Sequence, residues 1–320
     1  MNEEKVLGID VSKKTFDVAL MLGGKFRHKK FNNDAAGFDA LSKWLARWVE
    51  NETVVVCLEA TGIYGEALSE YLHDQGHRVS VVNPARIKGY AQSELVRAKT
   101  DKIDATLIAR FCAALRPEAW TPPPKEVREL RDLVRRLDAL HGMHQQEANR
   151  LESANGVVAE RLRVHLAYLK EEIDYTRQLI RDHIDQDPDM KRKRDLLESI
   201  PGVGEATIQV VLSEFSDVGQ FKNAKALAAY IGVTPSVKQS GTSVKGRGAM
   251  SRMGRSRLRK SFFMPALVAL RHNPVMKDLK ARLTAAGKAK MTIVGAAMRK
   301  LIHLIYGVLK NGVPFRADFA

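Results

Sequence analysis

The chain has 320 residues and a net charge of +15, with 45% hydrophobic and 28% charged residues. Because one hydrophobic core rarely serves so long a chain, this length predicts at least two domains. The apolar runs look shorter than the roughly 20 residues that span a bilayer, which excludes a membrane-embedded protein, and we expect no secretory signal. The two cysteines, Cys57 and Cys112, are typical of buried free thiols in a reducing cytoplasm.

The positive charge is concentrated in the last third of the chain. Residues 201–320 carry twenty Lys and Arg against five Asp and Glu, whereas residues 1–120 and 121–200 are nearly neutral. Each phosphate that Lys or Arg neutralises releases a counterion, so this stretch favours binding to a polyanion. A solvated basic face and an anionic membrane surface are alternatives. Nucleic acid is the partner that we expect.

The first 120 residues predict a mixed α/β sheet. The predicted strands cover residues 6–11, 15–21, 53–58 and 78–82, and a helix covers 38–48. Gly23 and Gly24 favour a hairpin turn, so the chain should begin with an antiparallel meander. The almost wholly apolar strand at 53–58 indicates burial on both faces. Strands followed by alternating strands and helices predict a sheet with a parallel portion.

A stiff break at Pro122-Pro123-Pro124 precedes a region of helical periodicity. Apolar residues recur every three or four positions and predict two long helices separated at Asn155-Gly156. These helices form either a hairpin or an intermolecular coiled coil, and in both cases a spacer or dimerisation arm. We therefore expect an α/β plus α protein with domains at residues 1–120, 121–190 and 191–320, the last mainly helical and basic.

The third predicted domain begins near a glycine-rich turn. The segment at 200–207 reads IPGVGEAT, and its Pro-Gly-x-Gly turn between two predicted helices is typical of a helix-hairpin-helix element. In such an element, glycines at positions like Gly202 and Gly204 let backbone N–H groups approach a phosphate. A Gly-x-Gly turn is also a common loop. The basic region beside this turn is what favours a phosphate-binding role for it.

Four carboxylates suggest metal-assisted chemistry. Asp10 stands inside an apolar strand, and Glu59 follows the carboxyl end of a later one, a usual place for active-site residues. Asp101 and Asp104 are spaced i, i+3 at the start of a predicted helix, where N-terminal capping is the alternative role. Together the four would suit two Mg²⁺ ions about 4 Å apart, as in phosphodiester chemistry.

A basic segment carries a possible nucleophile. Residues 238–260 contain eight cations and no acid, namely Lys238, Lys245, Arg247, Arg252, Arg255, Arg257, Arg259 and Lys260. A serine in this setting either contacts a phosphate or attacks it. The chemistry alone leaves Ser236, Ser240 and Ser243 open.

The chain resembles two known groups of proteins. The order of the acidic residues resembles the ribonuclease H-like (RuvC-like) fold of Holliday-junction resolvases. More specifically, the chain resembles the DEDD transposases of the insertion-sequence one-ten family, the bridge-RNA-guided recombinases. The matching strings follow the family's order over nearly the whole chain: GIDVSK at 8–13, LEATG at 58–62, VNP at 82–84, KTDKIDA at 99–105, ESIPGVG at 198–204, GVTP at 232–235, SGTS at 240–243, MRKL at 298–301 and YGVLK at 306–310.

The resemblance implies a role for each matching residue. Asp10, Glu59, Asp101 and Asp104 correspond to the family's metal ligands, and Ser240 to its nucleophile. Such a serine forms a 5′-phosphoserine link to DNA and leaves a free 3′-OH. The resemblance also implies a structured guide RNA, dimers that pair into a tetramer, and a site that combines one protomer's carboxylates with another's serine. It places the protein in a prokaryotic cytoplasm, at the nucleoid when acting.

Two other functions fit the same residues. A hydrolytic Holliday-junction endonuclease would use the carboxylates to activate water, with Ser240 only contacting phosphate. A nucleic-acid-binding scaffold without enzyme activity would use the carboxylates merely as helix caps and core residues.

Overall fold

The computed structural model describes residues 5–49, 52–60, 62–95, 101–236, 239–240, 244–245, 249–251 and 253–317; of residues 101–102, 239–240, 244–245 and 249 it describes the backbone only. The chain divides into two compact units, which we call unit 1 (Met1–Pro123) and unit 2 (Pro124–Ala320). The boundary lies in the proline-rich break. A further division of unit 2 at residue 190 stays a prediction.

Unit 1 is built on a five-stranded mixed sheet. Its strands are β1 (Val6–Val11), β2 (Thr15–Leu22), β3 (Lys25–Asn32), β4 (Val55–Glu59) and β5 (Arg78–Val82), in the order β3-β2-β1-β4-β5. β1, β2 and β3 form the predicted antiparallel meander, and β4 and β5 continue the sheet in parallel with β1. The mixed α/β fold is thus confirmed. Glu59 is the last residue of β4 rather than the residue after it.

Helices cover both faces of this sheet. On one face, α1 (Ala35–Val49) and α2 (Glu66–Asp74) pack on the side chains that include Leu7, Ile9 and Leu58. On the other, α3 (Pro84–Ser93) and α4 (Asp101–Leu115) pack on the alternate side chains, which include Val6 and Cys57. This alternation assigns each strand residue to one face.

The backbone of α4 lies directly on β1 at Gly8. A Cβ added to Gly8 would lie 2.3 Å from the Ala105 carbonyl oxygen and 2.3 Å from the Ala109 amide nitrogen. Small residues on both elements therefore allow main chain to contact main chain. Beside this contact, the predicted thiols are buried and free. Hydrogen bonding to Cys112 and burial raise the pKa of the Cys57 thiol.

Unit 2 begins with two long helices that pair within the chain. They are α5 (Lys125–Leu151) and α6 (Gly156–Gln186), separated where the sequence predicts. The pair is antiparallel, since His183 Nε2 lies 2.7 Å from the Glu126 carbonyl oxygen at one end and His165 Nδ1 lies 3.9 Å from Glu147 Oε1 towards the other. Supercoiling and a role in dimerisation stay predictions.

The rest of unit 2 is mainly helical. Its elements are α7 (Pro188–Glu198), α8 (Glu205–Phe215), α9 (Ala224–Ile231), β6 (Thr234–Ser236), β7 (Gln239–Ser240), β8 (Val244–Lys245), β9 (Ala249–Ser251), α10 (Ser256–Ser261), α11 (Phe263–His272), α12 (Pro274–Ala285) and α13 (Lys290–Asn311). One hydrophobic core runs from Val127 and Leu169 in the long helices to Leu301 in α13.

Helix α13 is the one described helix that is long and apolar enough to cross a membrane by length and composition, contrary to the expectation that the chain holds no such run. Slightly more than half of its most apolar window is buried inside unit 2. Leu301, Ile302 and Ile305 are fully buried against neighbouring helices. Its apolar character is therefore explained by its place in the core.

The contact at Gly8 generates a prediction about stability. Gly8→Ala should lower the free energy of unfolding by about 1–3 kcal/mol or more, because the new methyl group would overlap the α4 backbone. Denaturant unfolding measures the effect. Gly89→Ala in α3 is the control, since its added Cβ meets no atom within 4 Å, and it should raise stability by about 0.5–1 kcal/mol. Equal effects of the two variants would contradict the contact.

Candidate functional site

Asp10 and Glu59 lie side by side at the carboxyl ends of two parallel strands. Ile9 of β1 pairs with Leu58 of β4, so the next residue on each strand occupies neighbouring positions, about 4.8 Å apart at the backbone. Ile9 and Leu58 point into the core beneath α1 and α2, and the two carboxylates therefore lie on the face that α4 covers. Both side chains are partly exposed.

Helix α4 directs a third carboxylate, from its first turn, towards Asp10. The Arg110 guanidinium lies over the Phe26 ring, which the strand register places level with Val6. The helix therefore runs from the Asp10 end of β1 towards its start, and its first turn, with the partly exposed Asp104, lies towards Asp10. We call Asp10, Glu59 and Asp104 the carboxylate edge.

The fourth predicted carboxylate, Asp101, is the first residue of α4, and its side chain lies outside the described part of the chain. Among the described residues, no three His, Cys, Asp or Glu side chains form a group that could hold a metal ion. The four-carboxylate metal site therefore stays a prediction. The donor set fits the predicted Mg²⁺, since carboxylate oxygens are the ligands that Mg²⁺ prefers.

Sequence reasoning missed two charged residues in this row. Asp17 of β2 lies directly opposite Asp10, and Lys30 of β3 lies directly opposite Asp17. The Lys30 Nζ atom is 3.1 Å from Asp17 Oδ2. The sheet thus carries one lysine and three carboxylates in a single row, and the lysine offsets part of the repulsion between like charges. A lone carboxylate in an apolar strand, the signal that singled out Asp10, also marks Asp17.

The predicted nucleophile lies in a looped segment that we call the serine loop (residues 233–253). Its two ends meet at Gly232 and Gly254, where a Cβ added to Gly254 would lie 2.5 Å from the Gly232 nitrogen. Above this neck β6 pairs with β9, and Ser240 of β7 then pairs with Val244 of β8. Ser236 lies in β6, closer to the neck.

Several predicted residues of the serine loop lie outside the described part of the chain. Nothing is described of Lys238, Ser243, Arg247 and Arg252, and only the backbone of Ser240 and Lys245. Of the remaining basic residues, Arg259 has its guanidinium near the neck, because a Cβ added to Gly232 would lie 2.9 Å from Arg259 Nη1. Lys260 is exposed.

Two arginines at the end of the serine loop bind protein carboxylates. The Glu214 side chain is only 4% exposed, and it accepts hydrogen bonds from Arg255 Nη1 at 3.0 Å and Arg257 Nη1 at 2.8 Å. Arg257 also binds Asp138 Oδ2 through Nε and Nη2, at 3.0 and 2.6 Å. Arg255 in addition stacks on the Tyr230 ring. These arginines therefore fix α10 to α8 and α5, and their predicted contact with nucleic acid stays a prediction.

The glycine-rich turn connects α7 to α8. Gly202 has a φ of +101°, and a Cβ there would lie 2.6 Å from Ala269 Cβ in α11, so packing alone requires glycine. A Cβ added to Gly204 meets nothing within 4 Å. Glu205, the first residue of α8, is paired with Arg181 at 2.6 Å, which lowers the pKa of Glu205. Phosphate binding at this turn stays a prediction.

The pairing at Glu214 generates a second prediction. Glu214→Gln should cost about 1.5–3 kcal/mol of unfolding free energy, because it removes the buried charge that accepts two charge-assisted hydrogen bonds. Denaturant unfolding of the full chain measures this loss.

Asp138→Asn is the matched control, since it alters the exposed partner of the same Arg257 and should cost less than about 1 kcal/mol. If Asp138→Asn cost as much as Glu214→Gln, the buried carboxylate would not be the main anchor.

Comparison with known proteins identifies the family. A model described as a DEDD transposase of the IS110 type matches residues 7–154, and one for transposases of the IS116/IS110/IS902 family matches residues 194–281. Pilin gene-inverting proteins of Moraxella bovis and Moraxella lacunata are each 32% identical over 311 residues, 97% of both chains. A putative transposase of Sinorhizobium fredii is 25% identical over 281 residues, 80% of this chain and 69% of that protein. The chain belongs to the IS110 family of transposases.

Proposed function

We propose that this transposase cuts and rejoins DNA through Ser240, with the help of Mg²⁺ at the carboxylate edge and guidance by a structured RNA. The observation that carries the proposal is the register that sets Asp10 beside Glu59, with the first turn of α4 directed towards them. A sheet edge that collects carboxylates from two strands and a helix fits metal-assisted phosphodiester chemistry. The relatives named for inverting a pilin gene support recombination, since inversion of a DNA segment requires cutting and rejoining.

The carboxylate edge would hold the metal through oxygen atoms. In the proposal Asp10, Glu59, Asp104 and Asp101 bind Mg²⁺, which supplies positive charge beside the phosphate that reacts. Lys30 on β3 pairs with Asp17 from the side opposite to Asp10, and its positive charge limits repulsion at the edge.

The covalent step conserves the energy of the phosphodiester bond. The Ser240 hydroxyl loses its proton and its oxygen attacks a DNA phosphorus, forming an ester to the 5′-phosphate while the bond to the 3′-oxygen breaks. That oxygen takes up a proton and leaves as a 3′-OH. A 3′-OH from a new partner strand then attacks the phosphoserine and releases the serine hydroxyl. No net bond energy is lost, which suits strand exchange, whereas hydrolysis would lose it.

The partners and the place of action are part of the same proposal. Serine and carboxylates from different protomers complete one site, in dimers that pair into a tetramer. Donor and target DNA are selected by pairing with the guide RNA, so the protein needs mainly to hold phosphates and duplex shape. The reaction takes place in the prokaryotic cytoplasm, at the nucleoid.

The competing function is a hydrolytic endonuclease, and one experiment separates the two. The full-length protein is incubated with Mg²⁺, the RNA encoded beside its element and labelled donor and target DNA. We expect a denaturation-resistant protein–DNA adduct that Ser240→Ala and Asp104→Asn both abolish, because one removes the nucleophile and the other a metal ligand. Denaturing gel electrophoresis detects the adduct.

Ser236→Ala and Ser243→Ala are the controls, since both serines lie in the serine loop with Ser240 and both variants should keep the adduct. If the DNA is cut without an adduct, and Ser240→Ala cuts it equally well, the protein is a hydrolytic endonuclease and the serine mechanism is wrong. If Asp10→Asn left DNA processing intact, the carboxylate edge would have no part in the chemistry.

A further inference from the structure

A group of basic side chains on α13 and α9 has no acidic partner among the described residues. We call Arg299, Lys300 and His303 of α13, with Lys225 of α9, the α13 basic cluster. Arg299, Lys300 and His303 lie within about one turn of α13, and α13 packs against α9, which carries Lys225. The positive charges of the other three groups all act on the His303 imidazole. Elsewhere in unit 2, arginines such as Arg194 are paired with carboxylates.

Buried polar atoms in this region lack hydrogen bonds. Arg299 Nη1 and His303 Nε2 are buried, and neither has a hydrogen-bond partner within the described part of the chain; the same is true of Thr234 Oγ1. Leaving such an atom unsatisfied costs about 1–3 kcal/mol, and more for a charged group. Native structures contain few such atoms, and a missing ligand is one physical reason for them.

One end of the α13 basic cluster lies towards the serine loop. Gly295, Arg299 and His303 are spaced i, i+4 and i+8, so they share one face of α13. A Cβ added to Gly295 would lie 2.9 Å from Met250 Cε, in strand β9 of the serine loop. Thr234, with its unsatisfied hydroxyl, belongs to β6, which pairs with β9. Thr234 Oγ1 and Arg299, which is one turn from Gly295, therefore lie towards the base of the segment that carries Ser240, and His303 lies one turn further along α13.

We propose that the α13 basic cluster binds a phosphodiester of the DNA strand that lies against the serine loop. The inference rests on the proposed function, and it adds a binding site for a phosphate other than the one that reacts. A guanidinium and an imidazole N–H donate to phosphate oxygens, and the two lysines supply charge.

The chemistry of the cluster selects an anion with several acceptor oxygens. Burial and the positive charges of Arg299, Lys300 and Lys225 lower the pKa of His303. A bound phosphate would offset this repulsion and would supply the acceptors that Arg299 Nη1 and His303 Nε2 lack. DNA is favoured over RNA because the serine loop next to the cluster is the part that reacts with DNA in the proposal.

The test is Arg299→Gln in the full-length protein, read by two measurements. We expect affinity for a donor DNA duplex to fall about tenfold and the slope of log affinity against log salt to decrease by about one. We also expect the melting temperature of the DNA-free protein to stay unchanged or to rise, because the variant removes a partly buried guanidinium, one buried nitrogen of which has no acceptor.

Lys290→Gln is the matched control, because Lys290 is an exposed cation on the same helix and its loss removes the same charge. It should change the affinity less than twofold. Equal affinities of the two variants would overturn the site, and so would an Arg299→Gln protein that melts several degrees lower but binds DNA normally. A loss of affinity confined to the guide RNA would also overturn it.

Two further results keep this inference separate from the serine mechanism. If Arg299→Gln lowers both affinity and melting temperature, His303→Gln decides: weaker DNA binding at unchanged stability supports the site, and unchanged binding overturns it. Ser240→Ala should keep full affinity for the duplex. If the wild type forms no adduct while Arg299→Gln still binds DNA more weakly, the phosphate site stands and the serine mechanism falls.

Discussion

The contact of two backbones at Gly8 fixes the geometry of unit 1. Because Gly8 has no side chain, α4 lies on β1 at the distance of main-chain atoms, and its direction along the strand is set by packing over the sheet. The acidic residues of the carboxylate edge then come from regular elements, two strand ends and the first turn of a helix. Groups carried on strands and helices are held more precisely than groups on loops. A family that performs chemistry on DNA requires such precision.

Unit 2 uses arginine in two opposite ways. Arg255 and Arg257 share the buried carboxylate of Glu214, so their charges are neutralised inside the protein and serve to fix α10. Arg299 is partly buried but has no carboxylate partner among the described residues, and one of its buried nitrogens has no acceptor. The net charge of the last third of the chain therefore overstates the number of cations that are available to bind phosphate. What matters is which cations lack an internal partner.

Local patterns predicted most of the elements, and tertiary contacts explain what was missed. The alternation in β1 and β2, the strand at 78–82 and the helix break at Asn155-Gly156 are all visible in the sequence. That α5 and α6 pair within one chain was left open, because intramolecular and intermolecular helix pairs have the same apolar periodicity.

The same limit applies to the site residues. The proximity of Asp10 and Glu59 follows from the rule that parallel strands end at one sheet edge. The link between Glu214 and two arginines more than 40 positions later depends on how three helices pack, which no local pattern contains. A carboxylate near the end of the mostly apolar helix α8 was its only sequence signal. The glycine neck has a different consequence. Gly232 and Gly254 close the segment where it leaves the core, and Val233 and Met250 still pack on the helices. The residues beyond the β6–β9 pair can therefore differ in length between relatives without disturbing those helices, as an exchangeable cassette.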